Sequence, residues 1–180
     1  KPASPLLRSL VGSEMCIRDS LAPAGEGFSA ALATINEART YVASMCCAMV
    51  EASLRSSVDY ASKRESFGRP IIEHQGLSWQ LARVANQLEA ARALTTKAIM
   101  VLENGDSEAA ILPAAHAKKF ATEFVEPALT ACTQAMGANG LKEEFLLGHR
   151  LTAARVANYV DGSTEIMTDR IAKSLRSTYT

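Results

Sequence analysis

An all-α fold, an antiparallel up-and-down bundle of three long helices followed by two shorter ones, is what this sequence predicts. Three observations lead there. Apolar residues recur at steps of three, four and seven along three long stretches. Short Gly-, Pro- and Asn-containing punctuation separates those stretches. No run of alternating apolar and polar residues competes with them as a strand. Alanine-rich faces then allow the helices to pack closely, and 180 residues suffice for one such domain with a real core but are short for two.

Taken in order, residues 10 to 20, LVGSEMCIRDS, resemble one reading frame of a sequencing-library adapter and nothing in the rest of the chain. Residues 1 to 20 are therefore expected to be non-native and disordered, and residues 21 to 180 to form the domain. The first helix carries Phe28, Leu32, Ile35, Val42, Met45 and Met49 on one face and runs to about Lys63, roughly 50 Å at 1.5 Å per residue. Gly68 and Pro70 end it in a tight connection. The second begins near His74 and shows Leu77, Leu81, Val84, Leu88, Ala91, Leu94, Ala98 and Val101 on a single stripe, until Asn104, Gly105 and Asp106 turn the chain. The third carries Ala117, Phe120, Phe124, Ala128, Ala131 and Ala135, holds Pro127, which should bend it, and stops at MGANG between Gly137 and Gly140. Two shorter helices, about 146 to 157 and 164 to 177, flank the polar turn Asp161, Gly162, Ser163.

Composition excludes several function classes. Nineteen acidic and nineteen basic residues are scattered without runs, which leaves no footprint for nucleic acid or an anionic membrane. Every apolar stretch is interrupted by charge before it reaches the ~20 residues a membrane helix needs. The four cysteines, Cys16, Cys46, Cys47 and Cys132, have no metal-type spacing, and reduced thiols in a cytoplasmic protein fit them. Cys46, Cys47 and Cys132 lie in helical patterns where a small apolar side chain suits a core.

Three places depart from what a bundle needs. In YASKRESFGRPIIEHQ, residues 60 to 75, a turn explains Gly68 and Pro70. It does not explain Arg64, Ser66, Phe67 and Gln75 together, which offer a phosphate-pairing guanidinium, hydrogen-bonding groups and an aromatic surface. In QAMGANG, residues 134 to 140, small residues either stop a helix or let a ligand come close. In DGSTE, residues 161 to 165, Ser163 or Thr164 can cap the last helix, and Asp161 stands as a carboxylate beside a helix amino terminus, where a catalytic base fits.

The order and separation of these motifs resemble the carboxy-terminal helical domain of the acyl-CoA dehydrogenase family. The matching residues are Gly25, Gly27 and Phe28; Arg39; Tyr60, Arg64, Phe67, Gly68 and Pro70; Gln75; Gln134, Gly137 and Gly140; and Asp161, Gly162 and Ser163. The resemblance implies FAD as cofactor, an acyl-CoA substrate and α,β-dehydrogenation in fatty acid metabolism. It also implies electron-transfer flavoprotein as partner, and a homo-oligomer, dimer or tetramer. Asp161 matches the position of the family's usual catalytic Glu, one methylene longer. By the same resemblance Arg64, Glu65, Ser66, Gln134, Ala135, Met136, Gly137 and Ala138 match FAD contacts made across a subunit interface. His74 and Gln75 match a further flavin-nucleotide contact, and Ser163, Thr164 and Glu165 match contacts after the base. Asn36, Glu37, Ala38, Arg39 and Gly162 match positions that face the acyl-CoA in the family; Ala38 matches the place where some members carry the base. The chain alone is expected to be inactive, because the family's other two domains complete the site. An Asp base also resembles nitroalkane oxidases, an acyl-CoA oxidase is a second alternative, and a non-catalytic oligomerisation bundle is the third.

Overall fold

The computed structural model describes Pro23, residues 25 to 106 and residues 108 to 180. The adapter-like segment and Cys16 lie outside the described residues, as do the side chains of Phe28 and Leu32. Two units divide the chain, Lys1–Thr34 and Ile35–Thr180. The described part of the first is short; in it the Thr34 hydroxyl donates to the carbonyl of Ala31 (2.8 Å). The bundle core belongs to the second.

Among the described residues, five α-helices stand where the apolar periodicity predicts them: α1 (Gly27–Lys63), α2 (Gln75–Glu103), α3 (Ile111–Met136), α4 (Leu147–Ala157) and α5 (Thr164–Tyr179). Contacts between helices give their directions. The Cys47 thiol bonds Thr95 and the Glu51 carboxylate pairs with Arg92 (2.5 Å), so α2 runs back along α1. Ser57 Oγ donates to the carbonyl of Cys132 (3.1 Å) and Asn139 Nδ2 to the Tyr60 hydroxyl (2.9 Å), while Lys118 lies near Cys46, so α3 runs in the same direction as α1. The result is the predicted up-down-up order. Half of α3 is buried, which makes it the central helix. Its Phe124, Val125, Leu129 and Cys132 meet Val42, Cys46 and Val50 of α1 and Val84, Leu88 and Ala91 of α2. Each fully buried Val or Leu contributes roughly 1.5–3 kcal/mol over its exposed state. The helix is continuous through Pro127, an exposed residue.

Two connections differ from expectation. The link between α1 and α2 is a minimal antiparallel hairpin, β1 (Glu65–Ser66) paired with β2 (Arg69–Pro70). Its tip, Phe67 and Gly68, has φ of 52° and 78°, and two left-handed central residues are the geometry that suits a two-residue hairpin. Four residues are too few for strand alternation to register in a sequence. After α3 the chain passes through two 3₁₀ turns, Gly137–Leu141 and Glu143–Phe145, before α4. Gly137 reverses the chain at φ 58°, and Gly140 presses on α3 so closely that a Cβ there would lie 2.7 Å from the carbonyl oxygen of Thr133.

Candidate active site

The turn between α4 and α5 carries Asp161 and Gly162, both with positive φ (54° and 99°). Aspartate is one of the few side-chain-bearing residues that visit this region readily. The turn is held by cations from two other helices. Arg39 of α1 donates from Nε to the carbonyl of Asp161 (3.0 Å) and from Nη1 to Asn36 Oδ1 (3.0 Å). Lys118 of α3 donates from Nζ to the carbonyls of Val160 and Gly162. Arg39 and Asn36 are each 4% exposed and Lys118 is fully buried. Burial lowers the pKa of Lys118, and the Asp161 carboxylate works against that fall. Burial, then the neighbouring Arg170, likewise lower that of Arg39, against the same carboxylate. Within the described residues, therefore, Asp161 is the acid that answers a buried cation pair.

The predicted substrate-facing set is brought together here: Asn36 and Arg39 are buried beside the turn, and a Cβ on Gly162 would lie 3.5 Å from Arg39 Nη2. Glu37, next to them in sequence, is exposed, and Ala38 is half-buried. Ser163 occupies the N-cap position of α5 but makes no capping hydrogen bond, a correction to the expected role. Its hydroxyl bonds the Glu165 carboxylate instead, which holds that carboxyl below its usual pKa. Thr164 Oγ1 donates to Asn158 Oδ1 (3.1 Å) across the turn.

A second cluster lies at the other end of α1. Arg64 and Glu65 are exposed and Ser66 half-buried on the hairpin. His74 braces it: a carbonyl only accepts, so Nε2–H donates to the carbonyl of Ser66 (3.0 Å) and Nδ1 is left to accept from Arg69 (3.3 Å). Its ring meets Phe67 edge-on at 6.1 Å. Tyr60, Arg64 and Asn139 line one shallow pocket, so the hairpin and the MGANG turn are neighbours. Gln75, Gln134, Gly137 and Ala138 are exposed, whereas Ala135 and Met136 are buried at 5% and 2% exposure and leave only backbone atoms for a ligand. Between the two clusters an open groove of ≈ 800 Å³ runs along α3, lined among others by Thr122, Thr130, Gln134, Asn158, Thr164 and Glu165. Asp161, Arg64 and Gln75 do not line it.

Residues 25–176 match the family model described as Acyl-CoA dehydrogenase, C-terminal domain. The chain belongs to this family. It is 34% identical to an acyl-CoA dehydrogenase of Bacillus subtilis (strain 168) over 84% of the chain and 39% of that protein. To the mitochondrial short/branched chain specific acyl-CoA dehydrogenase of Bos taurus it is 30% identical over 88% of the chain and 36% of that protein. The solved structure of butyryl-CoA dehydrogenase from Megasphaera elsdenii superposes with a TM-score of 0.78 at 29% identity, over 84% of this chain and 39% of that one. The chain thus spans about two fifths of the length of the curated relatives it matches.

For an acyl-CoA dehydrogenase C-terminal domain, three residues at the turn escaped sequence reasoning: Lys118, Thr122 and Asn158. Thr122 Oγ1 lies 3.5 Å from Thr164 Oγ1, so α3 holds the turn through two successive positions of one face. The signal was present in the sequence, since Lys118 sits among Ala114, Ala115, Ala121 and Val125 on a buried stripe whose other polar member is Thr122. Among the described residues no helix is long and apolar enough to cross a membrane, and no group of three or more His, Cys, Asp or Glu could hold a metal ion.

Proposed function

We propose that this domain is the carboxy-terminal part of an FAD-dependent acyl-CoA dehydrogenase in which Asp161 removes the α proton of an acyl-CoA thioester. The observation that carries this reading is the turn itself. The carboxylate that the resemblance assigns as base stands on backbone held by Arg39 and Lys118, beside the amino terminus of α5. A thioester α proton is far less acidic than a carboxylic acid, so hydrogen bonds to the thioester oxygen must stabilise the developing enolate, and the base needs only accurate placement.

The residues present suit FAD. The groove along α3 has the size of a ligand site and offers amide donors from Gln134 and Asn158 and hydroxyl acceptors from Thr130 and Thr164. The exposed Arg64 guanidinium suits a pyrophosphate. Next to Gly137 nothing approaches the backbone on the side where a Cβ would stand. When bound, FAD supplies the acceptor for the hydride leaving the β carbon. Arg64, Glu65, Ser66, His74, Gln75 and the backbone of residues 134 to 138 would hold its nucleotide end, and Ser163, Thr164 and Glu165 its other end. Arg39 and Arg64 are roughly 37 Å apart along α1 at 1.5 Å per residue, more than one dinucleotide spans. That distance supports two subunits sharing each cofactor, and hence a homo-oligomer. Electron-transfer flavoprotein is the proposed acceptor.

Aspartate in place of the longer acid favours one second reading, a nitroalkane oxidase-like flavoenzyme, whose substrate carries a more acidic α proton. Anaerobic flavin bleaching of the full-length parent against a panel of acyl-CoA thioesters tests both. A thioester should bleach the flavin, and Asp161→Asn should slow that step by about 10²–10⁴-fold. Bleaching by nitroalkanes alone would select the second reading, and a parent that binds no FAD would leave an oligomerisation bundle.

A further inference from the structure

Lys118 poses a physical question that the base assignment does not answer. A lysine buried at 0% exposure in the alanine-rich face of α3 is costly, and a methionine or leucine would fill the same space without a charge to desolvate. Its ammonium spends its donors on backbone, the carbonyls of Val160 and Gly162, and Arg39 takes the intervening carbonyl of Asp161. Three successive carbonyls of one turn are therefore drawn inward by cations from two different helices.

Peptide units are planar, so fixing the carbonyl directions on both sides of a residue fixes its φ and ψ. The peptide planes that flank Asp161 end in the carbonyls of Val160 and Asp161, and both are held. The plane beyond Gly162 is held as well. This sets the direction of the Asp161 Cα–Cβ bond in a left-handed conformation that a free turn has little reason to keep. An aspartate has only two side-chain torsions, so its carboxylate follows that bond closely.

We propose that Lys118 is the positioning residue for Asp161: with Arg39 it clamps the turn at residues 160 to 162 and thereby aims the shorter carboxylate at the proton it removes. The inference rests on Asp161 being the base. It assigns to Lys118 no contact with substrate or cofactor.

The test uses the full-length, FAD-loaded parent and four forms: wild type, Lys118→Met, Asp161→Asn and the double variant. Three quantities are read: the bleaching rate at saturating thioester, the thioester concentration giving half that rate, and hydrogen exchange of the peptide covering residues 158 to 165. Misplacement of a reacting group by about 1 Å costs ~10²-fold, so Lys118→Met should slow bleaching by about that factor. The half-saturating concentration and FAD content should stay unchanged while exchange in the turn rises. Because Lys118 acts through Asp161, the double variant should be no slower than Asp161→Asn alone. Additive losses, or a Lys118→Met rate within a fewfold of wild type, overturn the proposal. Should Lys118→Met fail to hold FAD, Lys118→Arg replaces it; it keeps charge and donors but not their position, and the same slowing and exchange are expected. Loss of the folded bundle in both variants also overturns it, since the side chain would then serve the whole core. Asp161→Asn bleaching at the wild-type rate would sink the base assignment separately, and the exchange of the turn would still judge the clamp.

Discussion

Cys46 illustrates how a single environment decides a side chain's chemistry. It is fully enclosed between α1 and α3, and burial first, then neighbouring Cys47, push its thiol up to about 12 from 9.0. The folded state therefore keeps its proton where the unfolded chain has lost it. Between pH 9 and about 12 the unfolded form binds fewer protons, so stability falls as pH rises through that window, and below it this thiol contributes no pH dependence. Urea midpoints measured from pH 8 to 11 should decline, and Cys46→Ala should flatten the decline; an unchanged slope would remove Cys46 as its source. At pH 8 Cys46 should also resist alkylation while the protein is folded, as read by mass spectrometry of its peptide. Cys47 and Cys132 are buried and raised in the same way, which agrees with the core role their periodicity predicts.

The helices were legible because each buries one stripe against neighbours, and a 3.6-residue period is written directly in the order of apolar residues. Their ends were legible for a different reason, since left-handed backbone is needed to leave a helix and glycine tolerates it, as at Gly137. The second glycine of that motif answers to packing. Gly140 lies against Thr133, and alanine there would bring a Cβ to 2.7 Å from a backbone oxygen that cannot swing aside. Gly140→Ala is expected to destabilise the domain by about 2 kcal/mol, in the range of overpacked positions, and to lower the urea midpoint accordingly. A variant as stable as the parent would mean that the 3₁₀ turn Gly137–Leu141 yields freely. The hairpin at residues 65 to 70 was not legible, because its closure depends on His74 reaching back to Ser66, a contact between a ring and a carbonyl eight residues away.

For the molecule as a whole, the distance between the Asp161 turn and the Arg64 cluster makes a prediction about assembly. If each cofactor takes its base from one subunit and its guanidinium from another, Arg64→Ala and Asp161→Asn disable different halves of a shared site. Parent proteins carrying one change each should be nearly inactive alone. In mixed dimers one site carries both defects and the other none, so co-assembled protein should recover about a quarter of the wild-type bleaching rate. No recovery on mixing would place both residues on one subunit's cofactor. The order of residues alone was enough for the helices, the burial of Cys46, Cys47 and Cys132 and the family, since these depend on local periodicity and on motifs whose parts lie within a few residues of one another. Through the resemblance it also marked Asp161 as a candidate base and, separately, Arg39 as a candidate substrate contact. Three-dimensional packing was needed to learn that Arg39 grips the backbone of residue 161 and that Lys118 completes the grip. Side chains of α1 and α3 there meet backbone 42 to 122 residues further along the chain, and no spacing in the sequence records which carbonyls a buried cation will find.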